Sequence, residues 1–340
     1  MKEISVLGID LAKSIFHFYG VDEHGKAVVS KKVRRGQVLE TVAKLAPTLI
    51  GLEACPGSNY WARAFRKLGL DVRIIAPQFV KPYVKSQKND AHDAEAIVEA
   101  MMRAHMRFVP IKEIAHQDIQ CIHRVRSRLI RNRTRLSNEI RGLLAEYGIV
   151  FPLKIYSVKK KMPLILEDAE NELTDRSRSF FQELLFELYD VEKRIAVYDQ
   201  KIQEVYIERK EVCDRLLEVP GVGILTATAI LSAVSDPHQF KNGRHLAAYF
   251  GLVPRQVSTG GKTILRGITK HGDRHIRTLL IHGARATMRH SKNKTDKRSQ
   301  WIQKKIETRG VNKTCVAIAN KNARIIWNLL AKNERYRKAA

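Results

Sequence analysis

Residues 4–10 read Ile-Ser-Val-Leu-Gly-Ile-Asp, a short apolar, β-forming run that ends on an acid. Two further β-forming runs follow at 15–19 and 27–33. Between them, residues 22–25 read Asp-Glu-His-Gly, a composition typical of a turn. This opening stretch therefore predicts three consecutive antiparallel strands.

Strands and helices alternate after this start. Apolar runs and helical spacing, with stops at Pro47 and Gly69, predict two more strands and three helices. They are the strands 48–52 and 71–75 and the helices 37–45, 58–68 and 91–102. The resulting order, βββαβαβα, is that of an RNase H-like (RuvC-like) domain with a mixed sheet. The predicted fold class is α/β for this part and α for the rest of the chain.

The middle of the chain is predicted to be long and helical. Between residues 118 and 147 an apolar stripe with helical spacing runs beside Arg124, Arg128, Arg131 and Arg135. Further on, spacings of three and four are kept without a break by Phe181, Leu184, Leu188, Val191, Ile195, Tyr198, Ile202 and Val205. Such a seam indicates a coiled coil. It would serve a homodimer, or an antiparallel hairpin with the earlier helix.

The composition favours a polyanionic partner. The 340 residues carry a formal net charge of +26, and residues 211–340 hold 25 Lys and Arg against 8 Asp and Glu. Nucleic acid is the commonest such partner, and an anionic membrane surface is the alternative. No apolar run is long enough to span a bilayer, no signal peptide is recognisable, and the four cysteines form no CxxC pair. We therefore expect a cytoplasmic protein without a membrane partner.

The C-terminal part contains a second helical pattern. Residues 219–223, Val-Pro-Gly-Val-Gly, lie between two helical segments and resemble a helix-hairpin-helix, which offers backbone N–H groups to a DNA phosphate. From residue 276 the chain is again helical and basic. We thus expect three parts: an RNase H-like domain at 1–110, a helical and coiled-coil region at 111–210, and a mainly helical basic domain at 211–340.

Four acids are candidate metal ligands. Asp10 and Glu53 end strands that are neighbours in an RNase H-like sheet, and Asp90 and Asp93 lie on one face at the start of a helix. Each acid alone is explained by a turn or by the helix macrodipole. Together they converge on one place, where Mg²⁺ would neutralise them and two ions could promote phosphodiester chemistry.

A hydroxyl is the second candidate for chemistry. Residues 251–262 predict a flexible loop that carries Ser258 and Thr259 among basic residues. A serine can attack a phosphodiester if cations stabilise the developing charge. The cations at hand are Arg255, Lys262, Arg266 and Lys270. They could equally bind phosphate, and the loop could simply be mobile. The arginine stripe at 124–135 likewise suits either phosphate contact or a solvated helix face.

These residues together resemble the DEDD transposases of bacterial insertion sequences, also called bridge-RNA-guided recombinases. The resemblance covers nearly the whole chain. It rests on Gly8-Ile9-Asp10, Leu52-Glu53-Ala54, Asp90-Ala91-His92-Asp93, Val219-Pro220-Gly221-Val222-Gly223, Tyr249-Phe250-Gly251-Leu252-Val253-Pro254-Arg255, Ser258-Thr259-Gly260-Gly261-Lys262, Gly267-Ile268-Thr269-Lys270-His271-Gly272-Asp273 and Leu279-Leu280-Ile281-His282-Gly283-Ala284. The order of these motifs is more specific than any one of them.

The resemblance implies a Mg²⁺-dependent DNA recombinase. Its DEDD carboxylates would be Asp10, Glu53, Asp90 and Asp93, and its serine nucleophile Ser258, with Thr259 as the alternative. It further implies DNA and a structured guide RNA as partners, and a homo-oligomer, a dimer that becomes a tetramer in the active complex. A Holliday-junction resolvase-like endonuclease would leave the 251–273 motif without a role. A non-catalytic DNA-binding protein would leave the four carboxylates without one.

Overall fold

A computed structural model describes residues 3–85, 90–152 and 154–337, without the side chains of residues 90 and 91. The chain separates into two compact units, divided between Ile114 and Ala115. Among the described residues, no helix combines the length and the apolar character that crossing a membrane requires. The expectation of three parts, with a boundary near residue 210, stays a prediction.

The first unit is a six-stranded mixed sheet with helices. The strands are β1 (Val6–Asp10), β2 (Ile15–Val21), β3 (Ala27–Arg34), β4 (Leu49–Glu53), β5 (Asp71–Ile75) and β6 (Phe108–Val109), and the helices are α1 (Val38–Leu45), α2 (Ser58–Lys67), α3 (Pro77–Val80) and α4 (Asp90–Met101). The strand order is β3-β2-β1-β4-β5-β6. β2 pairs antiparallel with β1 and β3, whereas β1, β4 and β5 are parallel neighbours. The predicted mixed sheet is confirmed.

Two paired glycines let α4 pack directly on the centre of the sheet. Gly8 of β1 and Gly51 of β4 are register partners. A Cβ added at Gly8 would lie 2.4 Å from the carbonyl oxygen of Ala94, and one at Gly51 would lie 2.6 Å from Cγ of Met101. The nearest obstacle at Gly8 is backbone, and at Gly51 it is the side chains of Met101 and Ile97, so glycine at both places lets the helix pack this closely. The contact of Ala94 with β1 fixes where the first turns of α4 lie.

The Gly8→Ala variant is expected to lose about 2 kcal/mol of unfolding free energy, because overpacking a tight contact costs 1–3 kcal/mol. Urea denaturation would measure the loss. Gly36→Ala is the matched control, since nothing lies within 4 Å of a Cβ added at the exposed Gly36. The control is expected to change by less than about 0.5 kcal/mol. Equal losses in the two variants would contradict the tight packing of α4 on β1.

The second unit is helical apart from one hairpin. Its helices are α5 (Ile114–Ala145, which begins at the unit boundary), α6 (Ile155–Glu167), α7 (Asp175–Glu208), α8 (Lys210–Leu217), α9 (Ile224–Ala233), α10 (Gly243–Tyr249), α11 (Arg274–His290), α12 (Lys297–Arg309) and α13 (Val311–Ala331). The hairpin consists of β7 (Pro254–Thr259) and β8 (Lys262–Ile268). One large apolar core is shared by residues of α8 to α13.

The predicted seam of α7 packs within the chain, antiparallel to α5. Phe181 lies in one apolar cluster with Leu136, and Val191 lies in another with Leu129. An ion pair of 2.5 Å between Arg126 Nε and Asp199 Oδ1 joins the same two helices. The antiparallel hairpin, one of the two expected uses of the seam, thus accounts for these buried residues. A coiled coil between subunits stays a prediction.

The turn between α8 and α9 is held by neighbouring helices. Gly221, at φ +89°, approaches the backbone of Gly283 in α11 so closely that a Cβ on Gly283 would overlap the Gly221 carbonyl oxygen. The Asn322 side chain of α13 donates a 3.0 Å hydrogen bond to the carbonyl oxygen of Pro220. Two short helices, α8 and α9, therefore flank a turn that contacts α11 and α13. The helix-hairpin-helix assignment of residues 219–223 stays a prediction, and so does the contact of this turn with a DNA phosphate.

Candidate acidic site and nucleic-acid interface

The sheet brings two of the predicted acids to one edge. Asp10 is the last residue of β1 and Glu53 the last of β4. The residues just before them, Ile9 and Leu52, are register partners in a parallel pair. Since parallel strands end at the same edge of a sheet, both carboxylates follow the carboxyl ends of neighbouring strands.

A third acid acts on the same site. Burial raises the pKa of the Glu53 carboxyl, and the negative charges of Asp10 and then Asp93 raise it further. Burial also raises the pKa of the Cys55 thiol, to which Glu53 and Asp10 add their charges. Asp93 lies one residue before Ala94, the point of contact with β1. The fourth predicted acid, Asp90, begins α4, but its side chain lies outside the described residues.

The donor set suits a hard divalent cation. Asp10, Glu53 and Asp93 offer carboxylate oxygens, which Mg²⁺ prefers, and their mutual repulsion is what such a cation relieves. Within the described residues, no three acidic, histidine or cysteine side chains are already close enough to hold a metal. A bound cation would therefore have to draw these acids closer together to complete the site.

The segment that carries Ser258 is a β-hairpin of residues 254–268, so the prediction of a flexible loop at 251–262 is wrong from residue 254 onward. Gly260 and Gly261 form the two-residue connection, and both have positive φ, +53° and +79°. This is the backbone that a tight hairpin turn requires, and glycine adopts it without strain. The sequence signal was present: a Gly-Gly pair between two runs rich in valine, threonine and isoleucine.

The hairpin separates Ser258 from Thr259. Ser258 lies opposite Thr263, and Thr259 lies opposite Lys262, so the two hydroxyls project from opposite faces. Ser258 is exposed, and the Gln256 side-chain amide donates a 2.7 Å hydrogen bond to its Oγ. The Thr263 hydroxyl is 3.4 Å from the same oxygen. Gln256 and Thr263 were not singled out from the sequence, because their role depends on the strand register.

The predicted basic residues fall into three groups. Arg124, Arg128, Arg131 and Arg135 are all exposed on α5, whereas Arg126 of the same helix pairs with Asp199 of α7. Arg255 and Lys262 are exposed on the hairpin. Arg266 and Lys270 line a cleft together with residues that the sequence analysis did not single out.

These residues form a basic cleft with a volume of about 1500 Å³. α10, β8, α12 and α13 contribute to its walls. Seven cationic side chains line it: Arg244, Arg266, Lys270, Lys305, Lys313, Lys321 and Arg324. No acid is among the lining residues that the structure describes. Sequence analysis found the basic C-terminal part but missed five of the seven, because they come together only in the folded unit.

Comparison with known proteins gives consistent results along the whole chain. A family model described as "Transposase IS116/IS110/IS902 family" matches residues 213–300, and a second model, described as "Transposase", matches residues 7–149. The transposase for insertion sequence element IS1111A of Coxiella burnetii is 48% identical over 337 residues, which cover 99% of this chain and 92% of the relative. A probable family 20 transposase of Pseudomonas aeruginosa is 46% identical, covering 98% of this chain and 99% of the relative.

Among solved structures, Thermus thermophilus RuvC in complex with a Holliday junction substrate matches 29% of this chain and 92% of its own length. The sequence identity is 16% and the TM-score 0.24. A likeness of this size is too slight to support a conclusion about site or function.

Proposed function

Because the chain belongs to the IS116/IS110/IS902 family of transposases, we propose that it cuts and rejoins DNA by transesterification at Ser258, with Mg²⁺ held by Asp10, Glu53, Asp90 and Asp93. The family acts in DNA cleavage and strand transfer. The observation that carries the finer proposal is the electrostatic coupling of three separate carboxylates. The negative charges of both Asp10 and Asp93 raise the pKa of Glu53, although these two acids lie on different elements, β1 and α4.

The four carboxylates would hold the metal at the carboxyl edge of β1 and β4. Bound there, Mg²⁺ supplies positive charge that stabilises the charge developing on the oxygens of a phosphodiester. The protein positions its ligands through the strand ends and through the contact of α4 with Gly8. The half-buried position of Glu53 favours this arrangement, because partial burial makes its carboxylate more dependent on a nearby cation.

Ser258 would act as the nucleophile. Its hydroxyl loses a proton, its Oγ forms a bond to phosphorus, and the bond from phosphorus to one deoxyribose oxygen breaks. The released oxygen takes up a proton, so one phosphate ester replaces another and the strand can be rejoined by the reverse step. The Gln256 amide donates to the same Oγ and would stabilise its developing negative charge. Exposed Arg255 and Lys262 would bind neighbouring phosphates.

The wider proposal concerns partners and assembly. We propose that the exposed arginines of α5 track a nucleic-acid backbone, that a structured RNA guides the choice of DNA, and that subunits form a dimer and a tetramer on DNA. The net charge of +26 supports two polyanionic partners. Activity in the cytoplasm, at the nucleoid, would follow from such partners.

The test is a trapping assay with the full chain and its element's flanking non-coding DNA. Supplied with element-junction DNA and Mg²⁺, the protein is expected to give cleaved strands and a covalent protein–DNA adduct on denaturing gels. EDTA is expected to abolish both, and renewed Mg²⁺ to restore them. Cleavage without any adduct would point instead to metal-dependent hydrolysis, and an adduct that forms fully in EDTA would refute the metal requirement.

A further inference from the structure

We propose that the basic cleft binds the backbone of the DNA strand being cut and leads that strand along the hairpin to the face that carries Ser258. The cleft thereby becomes a strand-guiding site, built from α10, β8, α12 and α13. The strand-guiding part rests on the proposed function, whereas the binding part does not.

The lining of the cleft is strongly positive. Seven Lys and Arg side chains line the cleft, with no acid among its described lining residues, so the cations repel one another until an anion enters. At Lys321, burial lowers the pKa of the ammonium, and the neighbouring charges of Arg298 and Arg324 lower it further. A row of phosphates would remove this repulsion, and a nucleic-acid backbone supplies such a row.

The tryptophans of the cleft favour phosphate over stacked bases as the bound group. Lys321 Nζ lies 4.7 Å from the centre of the Trp301 ring, so a cation already covers one ring face that a base could stack on. The Trp327 indole N–H donates to the carbonyl oxygens of Pro237 and Phe240, at 3.0 and 3.1 Å. These contacts hold the side chains of both tryptophans in place as part of the cleft wall. The cleft therefore suits a backbone of any sequence.

Three of the four asparagines that line the cleft already use one end of the side-chain amide within the protein. Asn242 Oδ1 caps the start of α10, and Asn320 Nδ2 donates to the carbonyl oxygen of Leu252. Asn312 Oδ1 accepts a 3.2 Å hydrogen bond from Arg285. Since an asparagine that reads a base edge in bidentate fashion needs both ends of its amide, these three favour backbone binding over sequence readout.

The hairpin connects the cleft with Ser258. Leu265 lines the cleft and lies opposite Gln256 in the hairpin. Side chains alternate along a strand, so Gln256, Ser258, Thr263 and Leu265 share one face, and Thr259 lies on the other. From Pro254, at the cleft, to Ser258 the β-strand rises by about 13 Å, which equals roughly four nucleotide steps of 3.4 Å along the axis of a B-form DNA duplex.

A binding experiment tests the cleft itself. The triple variant Lys313→Gln, Lys321→Gln, Arg324→Gln removes three cleft cations. Its matched control, Lys160→Gln, Lys161→Gln, Lys193→Gln, removes three exposed charges from α6 and α7. The probe is a fluorescein-labelled 30-nucleotide single-stranded DNA of arbitrary sequence, followed by anisotropy in EDTA over a range of salt concentrations. An RNA of the same sequence is measured in parallel.

The cleft variant is expected to bind the DNA about 10-fold or more weakly, with a salt slope smaller by about 2, as loss of three phosphate contacts on a single strand predicts. The control is expected to keep both values. Equal weakening in the two triple variants would assign the effect to overall charge and overturn the proposal. Loss of RNA binding with unchanged DNA binding would also overturn it, in favour of an RNA site.

A second measurement tests the guiding role. Element-junction DNA is made with single neutral methylphosphonates at successive positions, and adduct formation is measured. We expect the strongest inhibition at phosphates about four nucleotides to one side of the serine-linked phosphate, and no position dependence in the cleft variant. Uniform inhibition in the wild type would refute strand guiding. Absence of any wild-type adduct would refute the proposed function and with it the guiding role, while the binding comparison still decides the cleft.

Discussion

Replacing Ser258 by Ala is expected to abolish the covalent adduct and strand rejoining, with a loss of at least about 1000-fold in rate. The substitution removes the attacking oxygen and leaves the exposed hairpin without a new clash, since alanine is the smaller residue. Denaturing gels with junction DNA and Mg²⁺ measure the adduct. DNA binding, measured by anisotropy, is expected to stay within about 3-fold of the wild type, because no cation is removed.

Thr259→Ala is the matched control, because it also removes one hydroxyl from the same strand. Thr259 lies opposite Lys262, on the face away from Ser258, and is expected to keep adduct formation. Because the register places the two hydroxyls on opposite faces, this pair of variants tests the proposed nucleophile Ser258 against its alternative, Thr259. Loss of the adduct only in Thr259→Ala would move the nucleophile by one residue and contradict the proposed face.

Replacing Asp10 by Asn is expected to reduce strand cleavage by at least about 1000-fold, equal to about 4 kcal/mol of activation free energy. The amide keeps the size of the side chain but removes a carboxylate from the edge where β1 and β4 end. Cleavage of junction DNA over a Mg²⁺ titration measures the loss. DNA binding should be unchanged or tighter, because one negative charge has gone.

Asp71→Asn provides the charge-matched control. Asp71 is exposed at the start of β5, level with Leu49 at the opposite end of the sheet. This variant is expected to cleave at the wild-type rate. If both variants lost activity alike, charge at the sheet as a whole would be responsible. Full cleavage by Asp10→Asn would show that Asp10 is not needed as a metal ligand. It would favour a role in binding only for the sheet edge where β1 and β4 end.

The Asp10→Asn variant is also expected to change how the stability of the metal-free protein depends on pH. Because the folded-state pKa of Glu53 is raised, ionisation of Glu53 is unfavourable in the folded protein. Its contribution to stability is therefore present below its ordinary pKa of 4.5 and is lost as the pH rises through the raised value. Asp10→Asn removes one cause of the shift, so its thermal stability in EDTA should fall less with rising pH. An identical pH profile would contradict the coupling.

The N-terminal sheet could be predicted because its signals are local. The run that ends on Asp10 became β1, and the run that ends on Glu53 became β4, each in the expected place in the sheet order. Strands with buried apolar residues and clear turn residues carry their own signal. β6 escaped prediction, because Phe108 and Val109 form a strand only by pairing with Ile75 and Ile74 of β5.

The sequence by itself determined the acids at the ends of two strands, the helical middle and the basic C-terminal part, because each of these depends on neighbouring residues. It also determined the likeness to one family of transposases, because that likeness depends on an ordered series of motifs. Only the tertiary structure decided which hydroxyl shares a face with Gln256, how α4 meets the paired glycines, and that Arg244, Lys305 and Lys321 line one cleft. These features depend on register and on packing between segments far apart in the chain. Such contacts are set by the burial of the core as a whole, and no local pattern encodes them.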